Sequence, residues 1–128
     1  MDYAAYIQAY NIPNNYDELF ANFYTEDVRL EDGNVDIKGA DSLRKALGVA
    51  QAGLKEELRI IHYAQKGDII LAELDSALVA DHDIPDFFIT PLKKGQTTVV
   101  RFFASYTICH GKIAHFRLGY WGNSPRYE

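Results

Sequence analysis

Cysteine is almost missing from this chain. Cys109 is the only one in 128 residues, so no intrachain disulfide can form, and nothing points to an oxidising compartment. No run of 18 apolar residues occurs, and the opening Met-Asp-Tyr-Ala-Ala-Tyr has no basic segment leading into an apolar one. Neither a membrane-spanning helix nor a secretory leader is expected, and the expected setting is the cytoplasm. Basic residues are few and scattered, 13 Lys and Arg against 18 Asp and Glu for a net charge of −5. That balance excludes a nucleic-acid backbone as partner, and a membrane surface for the same reason. Glycine-rich phosphate loops, repeats and low-complexity tracts are lacking. Asp81-His82-Asp83 is the nearest approach to a metal-ligand cluster, but consecutive residues point in different directions and no spaced His or Cys partner exists. Cys109 has His110 beside it in sequence rather than placed as a base, and no serine motif stands out. No metal and no cofactor are expected.

What is abundant is apolar and aromatic: 48% hydrophobic residues, nine Tyr and seven Phe. A chain of this length forms one domain, residues 1–128, able to bury roughly two thirds of its unfolded surface. Asp2 is placed to cap a helix with Tyr3, Tyr6, Ile7 and Tyr10 on one stripe, ending before Pro13. Asn15 and Glu18 open a second helix that faces Tyr16, Leu19, Phe20 and Phe23 inward. A short hairpin turns at Asp32-Gly33, where Asp has a purely conformational reason to occur. Asp41 caps a third helix carrying Leu43, Ala46, Leu47, Ala50 and Leu54. Gly48 costs that helix about 1 kcal/mol relative to Ala unless something packs against it. From there the pattern is strand: Leu58 to Gln65, Ile69 to Ala80, Thr97 to Cys109 and Lys112 to Trp121, mostly joined by short turns that imply antiparallel neighbours. The long connection from Asp81 to Gln96 is too apolar for a spacer and reads as a lid. The expected class is α+β, with helices laid on a curved antiparallel sheet.

Chemistry centres on Asp68 to Asp81. Side chains alternate there, so Glu73 and Asp75 share a face with Ile69, Leu71, Ala77 and Val79. Neither face reads as solvated, which suggests an acid-lined cavity. Two carboxylates roughly 6.5 Å apart repel and hold a proton more tightly. The alternative is an ion-pair lattice with Arg101 and Arg117. His62, on the face of Leu58, Ile60 and Ala64, is either a hydrogen-bonded core residue or a cavity group. Tyrosines such as Tyr6 and Tyr10 suit a core edge with wet tips.

The Leu19–Val28 helix-to-strand passage, the Ile37–Leu43 entry to the third helix, Lys66-Gly67-Asp68 and the closing Gly111–Phe116 follow one another in the order and spacing of a known superfamily. Across nearly its whole length the chain resembles the SnoaL-like branch of the nuclear transport factor 2-like superfamily, related to ketosteroid isomerase and limonene-epoxide hydrolase. The resemblance implies a cone-shaped curved sheet wrapped by three helices in the N-terminal half, an α+β barrel of cystatin-like shape. It places the isomerase's general base on Asp32 and its oxyanion tyrosine on Tyr6, while the second oxyanion acid falls on Ala104. The hydrolase's Arg and Asp fall on Glu73 and Asp75, and its last-strand Asp on Leu118.

These readings give a small enzyme doing acid–base chemistry without a cofactor on a mostly apolar, oxygenated metabolite, of isomerase, dehydratase, cyclase or epoxide-hydrolase type. Asp32, Glu73, Asp75 and Tyr6 are its expected catalytic groups. Tyr10, His62, Phe102, Tyr106, Phe116 and Tyr120 are its expected cavity lining. The rival is a non-catalytic binding or dimerisation module of the same fold. A homodimer through the outer face of the long strands is expected, since Phe103 and its outward neighbours leave that face half apolar.

Overall fold

The computed structural model describes residues 1–122 and 125–128. Among them the chain forms three helices, α1 (Tyr3–Tyr10), α2 (Tyr16–Asn22) and α3 (Ala40–Ala50). The strands are β1 (Tyr24–Glu31), β2 (Asp36–Lys38), β3 (Leu54–Lys66), β4 (Ile69–Ala80), β5 (Thr97–Cys109), β6 (Lys112–Tyr120) and β7 (Arg126–Tyr127). They make one sheet in the order β2-β1-β6-β5-β4-β3, with β7 added beside β5. All pairings are antiparallel except β1 with β6, which run parallel. The sheet is therefore mixed and curved, and it stays open.

Helix starts follow local chemistry only in part. Asp2 caps α1 by accepting the Ala5 amide at 3.0 Å. Asn15 instead turns its amide to the Glu18 carboxylate at 2.8 Å and to the Ala9 carbonyl at 3.0 Å, so it links α2 back to α1 rather than capping α2. The cap of α3 is Gly39, at φ 94°, and Asp41 lies inside the first turn. That helix ends at Ala50, earlier than its apolar pattern suggests. Gly53, at φ 69°, redirects the chain, and a Cβ there would meet the Asp81 carboxylate at 2.7 Å. Leu54 thus begins a strand instead of finishing a helix.

Which residues face inward follows from direct opposition across the ladders, because facing residues of neighbouring strands share a side of the sheet. Leu74 faces Phe102, Ser76 faces Val100 and Ala72 faces Ala104; Phe102 faces Tyr120 and Tyr106 faces Phe116. Of these, Ala72, Leu74, Phe102, Ala104, Tyr106 and Phe116 pack with Tyr3, Tyr6 and Ile7 of α1, Leu19 of α2, Leu43 of α3 and Val28 of β1 to form the main core. A smaller core of Leu78, Ala80, Leu92 and Val100 takes Ile84, Phe87 and Ile89 from the long connection. One irregularity matters for function. Register slips between Ile60 and His62 where β3 meets β4, and a bulge of this kind reverses the alternation beyond it. Leu58 and Ile60 stay inside, His62 turns outward opposite Glu73, and Tyr63 returns to the inner side opposite Ala72.

Candidate functional site

Between the inner face of the sheet and α3 lies a cavity of about 620 Å³. Its walls are mainly apolar, from Leu47 and Ala46 of α3, Leu30 of β1, Phe102 and Tyr106 of β5, Phe116 and Tyr120 of β6, and Phe87 to Ile89 of the long connection. A volume of this order suits a small organic ligand. Tyr6 and Tyr10 close it from α1.

The polar centre is Glu56. It stands third in β3, opposite Leu78, and so points inward with Leu54 and Leu58. Three neutral side chains hold its carboxylate. The Tyr10 hydroxyl donates to Oε1 at 2.6 Å, Gln51 Nε2 donates to the same oxygen at 3.3 Å, and Ser76 Oγ donates to Oε2 at 2.7 Å. Gln51 also donates to the Tyr10 oxygen at 3.1 Å and accepts the Tyr16 hydroxyl. Among the described residues no Lys, Arg or His nitrogen lies within 4.0 Å of Glu56. This is a carboxylate satisfied by hydrogen bonds, at the edge of an apolar space, with its charge left uncancelled. The surrounding tyrosines register that charge. Burial first, and then the negative charge of Glu56, push the Tyr10 hydroxyl well above its ordinary value.

A second layer of tyrosines lies behind. Tyr6 and Tyr24 share a hydrogen bond of 2.6 Å, and the Tyr3 hydroxyl donates to Tyr106 at 3.0 Å. Burial raises Tyr3 to about 12 and lifts Tyr6, Tyr24 and Tyr106 well above the usual tyrosine range. All four therefore stay protonated at neutral pH, each keeping a hydroxyl proton to donate. Tyr120 is raised first by burial and then by the charges of Glu56 and Asp32. Asp32 lies on the cavity wall just after β1. Its Oδ1 accepts the amides of Asn34 and Val35, each at 2.9 Å, so one oxygen is committed to the turn.

Three expected site residues lie elsewhere. Glu73 and Asp75 are on the outer face, away from the cavity, because Asp75 opposes Arg101 and Glu73 opposes Phe103 while Phe102 points in. The Arg101 guanidinium binds Asp75 through Nε at 2.6 Å and Glu73 through Nη1, and Arg126 of β7 reaches Asp75 at 2.6 Å. The ion-pair alternative describes this pair, with Arg126 in the place expected for Arg117. Asp75 accordingly has its carboxyl held below the usual range, first by the Arg101 hydrogen bond, and not raised. His62 belongs to the same outer cluster, 3.1 Å from Glu73 with its side chain 74% exposed, because the bulge turned it out. Among the described residues no three His, Cys, Asp or Glu side chains gather in a way that would hold a metal ion.

Glu56 was the missed residue. Its signal was the alternation Leu54, Glu56, Leu58, Ile60, the same pattern of an acid among inward apolar residues that drew attention to Glu73. Extending α3 through Leu54 hid it.

No protein-family model matches the sequence, and no curated protein does. Solved structures do. A proposed polyketide cyclase from Pseudomonas putida is 25% identical with a TM-score of 0.75, covering 94% of this chain and 90% of its own. A SnoaL-like polyketide cyclase from Agrobacterium tumefaciens is 18% identical with a TM-score of 0.72, covering 94% and 88%. An LEH-like epoxide hydrolase from M. tuberculosis is 18% identical with a TM-score of 0.72, covering 93% and 79%. The chain has the SnoaL-like fold of the nuclear transport factor 2-like superfamily. Within that fold, the cavity in this chain has Glu56 of β3 and Asp32 on its wall, and Glu73 and Asp75, the positions matched to the hydrolase's Arg and Asp, lie outside. No helix among the described residues is long and apolar enough to cross a membrane.

The outer cluster sets a pH dependence. Asp75 has a folded pKa below its unfolded value of about 3.9, so its contribution is fully present above that value and is lost as pH falls through the folded one. Asp75→Asn is expected to cost about 2 kcal/mol at pH 7, by leaving the guanidinium bonds unmade. The deficit relative to wild type should shrink as the acid limb is descended, measured as urea midpoints from pH 7 to pH 2. A deficit that grows toward acid would contradict the assignment.

Proposed function

We propose that this protein is a small enzyme that moves a proton on a mostly apolar, oxygenated metabolite, and that Glu56 is the group that accepts and returns it. The observation that carries this reading is the Glu56 carboxylate, set on the wall of a 620 Å³ apolar cavity and held only by neutral donors. In such a site a carboxylate takes a proton from an activated C–H or from an attacking water, and Tyr10 and Ser76 hold its oxygens in place throughout. Tyr6 faces the same space and stays protonated. When Tyr24 donates to Tyr6, the Tyr6 proton is free to meet negative charge developing on a substrate oxygen. Asp32 assists from the mouth with its second oxygen. Isomerisation, dehydration, cyclisation and epoxide opening all use this combination of base and donor. The similar structures described as cyclases and an epoxide hydrolase are consistent with chemistry of that kind.

Ligand capture without turnover is the second reading, favoured by one observation: both Glu56 oxygens already accept hydrogen bonds. The readings separate on a simple carbon acid. The wild-type protein should accelerate exchange of the α-protons of 2-tetralone into deuterium oxide, followed by proton NMR. Glu56→Gln should lose about a hundredfold or more of that acceleration. No acceleration by the wild type, or acceleration undiminished in Glu56→Gln, would contradict the enzymatic reading.

The working form we propose is a cytoplasmic homodimer. Ile61, Ile69, Leu71, Phe103 and Trp121 are exposed large apolar side chains. Phe103 packs against Trp121 at 5.9 Å between ring centres, and the outer ion-pair cluster surrounds part of this face. An apolar patch interleaved with both signs of charge suits a second copy of itself. Light scattering at micromolar concentration should give near twice the 14.5 kDa chain mass; a single chain mass would end the proposal.

A further inference from the structure

Glu56 belongs to the walls of two cavities. Besides the apolar one, a second space of about 660 Å³ lies between the α1–α2 connection, the end of α3 and the facing ends of β3 and β4. The two share Tyr10, Gln51, Leu54 and Glu56. The second is the more polar in its own lining, which adds Asn11, Asn14, Lys55 and Asp81. The hydrogen-bonded chain from Tyr16 through Gln51 to Tyr10 and Glu56 therefore forms the partition, with Tyr16 on the second side only.

Gly48 supplies an independent observation. It lies in the last turns of α3, where glycine weakens a helix. Its φ is not positive, and a Cβ built on it meets nothing within 4 Å. Neither backbone strain nor close packing explains it. What its missing side chain does is leave the second cavity unobstructed, since Gly48 lines that space and not the apolar one.

We propose that the second cavity is the solvent side of Glu56: water and protons reach the carboxylate through it while the apolar cavity holds the ligand, and Gly48 keeps it open. The inference rests on the reading of Glu56 as the proton-transfer group. It adds a physical separation. A base that takes a proton from a bound ligand must release it before the next turn, and a ligand filling the apolar cavity blocks the mouth. A second opening lets the proton leave while the ligand stays, and keeps bulk water off the ligand's face.

The test uses the full chain with Cys109→Ser, so that an introduced Glu56→Cys is the only thiol. Its rate of modification by a small charged methanethiosulfonate is measured alone and with a plug on either side. Gly48→Trp fills the second cavity and Ala46→Trp the apolar one. The expected result is labelling slowed at least about tenfold by Gly48→Trp and changed less than about threefold by Ala46→Trp. Ala52→Trp, an exposed position on the second cavity only, provides the same plug should Gly48→Trp not fold. Labelling slowed by Ala46→Trp and indifferent to both second-cavity plugs would overturn the inference while leaving the acid–base reading intact, with Glu56 served through the mouth. No labelling in any background would overturn the inference, while the acid–base reading stands or falls on the deuterium exchange of the wild type against Glu56→Gln. A supporting readout comes from Gly48→Ala in the wild-type chain, which should raise the melting temperature; a lower one would show that glycine is there for packing.

Discussion

The register of β4 against β5 decides what is inside this protein. Asp75 stands directly opposite Arg101, and Leu74 directly opposite Phe102. Because opposed residues share a face, these pairings commit the acids and the guanidinium to one side together and the apolar residues to the other. A slip of β4 by one residue against β5 would bring Glu73 and Asp75 into the apolar cavity and expose Leu74, while Arg101 stayed on the outer face without its partners. Burying those charges costs several kcal/mol each before any pairing is recovered. The outer ion-pair cluster therefore acts chiefly as a guard on register, and the cavity depends on it.

Once that face is set, the polar chemistry inside centres on the Glu56 carboxylate and its neutral neighbours, with Asp32 on the same cavity wall. Glu56 reaches the cavity because Gly53 ends the turn after α3 and β3 begins at Leu54. Its donors come from three separate elements: Tyr10 from α1, Gln51 from the end of α3 and Ser76 from β4. A carboxylate fixed by three elements is held rigidly, which is what proton transfer at a defined atom requires. The tyrosine pairs behind it contribute hydroxyls that remain protonated across the physiological range.

Much of the architecture was legible from residue patterns: the helix order, the long strands, and the apolar connection whose Phe87 and Phe88 line the cavity; the inward placement of Phe102, Tyr106, Phe116 and Tyr120 came from the family resemblance, extended by alternation. The acids were harder, for two physical reasons. Alternation shows which residues share a face of β4, but with Leu71 and Val79 on one side and Leu74 and Leu78 on the other it cannot say which face is enclosed. Leu71 proves to be 57% exposed in the single chain, so an apolar residue there signals a surface for a partner as readily as a core. His62 failed through the bulge after Ile60, an extra residue with no distinct sequence signature that reverses every assumption beyond it. Glu56 was hidden by a boundary. Leu54 fits both the helical stripe of α3 and the alternation of β3, and only the positive φ at Gly53 resolves the choice.

The central claim is that the working carboxylate is Glu56 and that ligand sits against it. The most direct measurement is a crystal structure of the protein purified with whatever small molecule it retains, or soaked with 2-tetralone. The account predicts density inside the cavity between Phe102 and Tyr120, with a ligand C–H or hydroxyl facing Glu56 Oε2 at about 3 Å. Ligand bound on the outer face beside Glu73 and Asp75, with the cavity around Glu56 filled only by protein side chains, would contradict it.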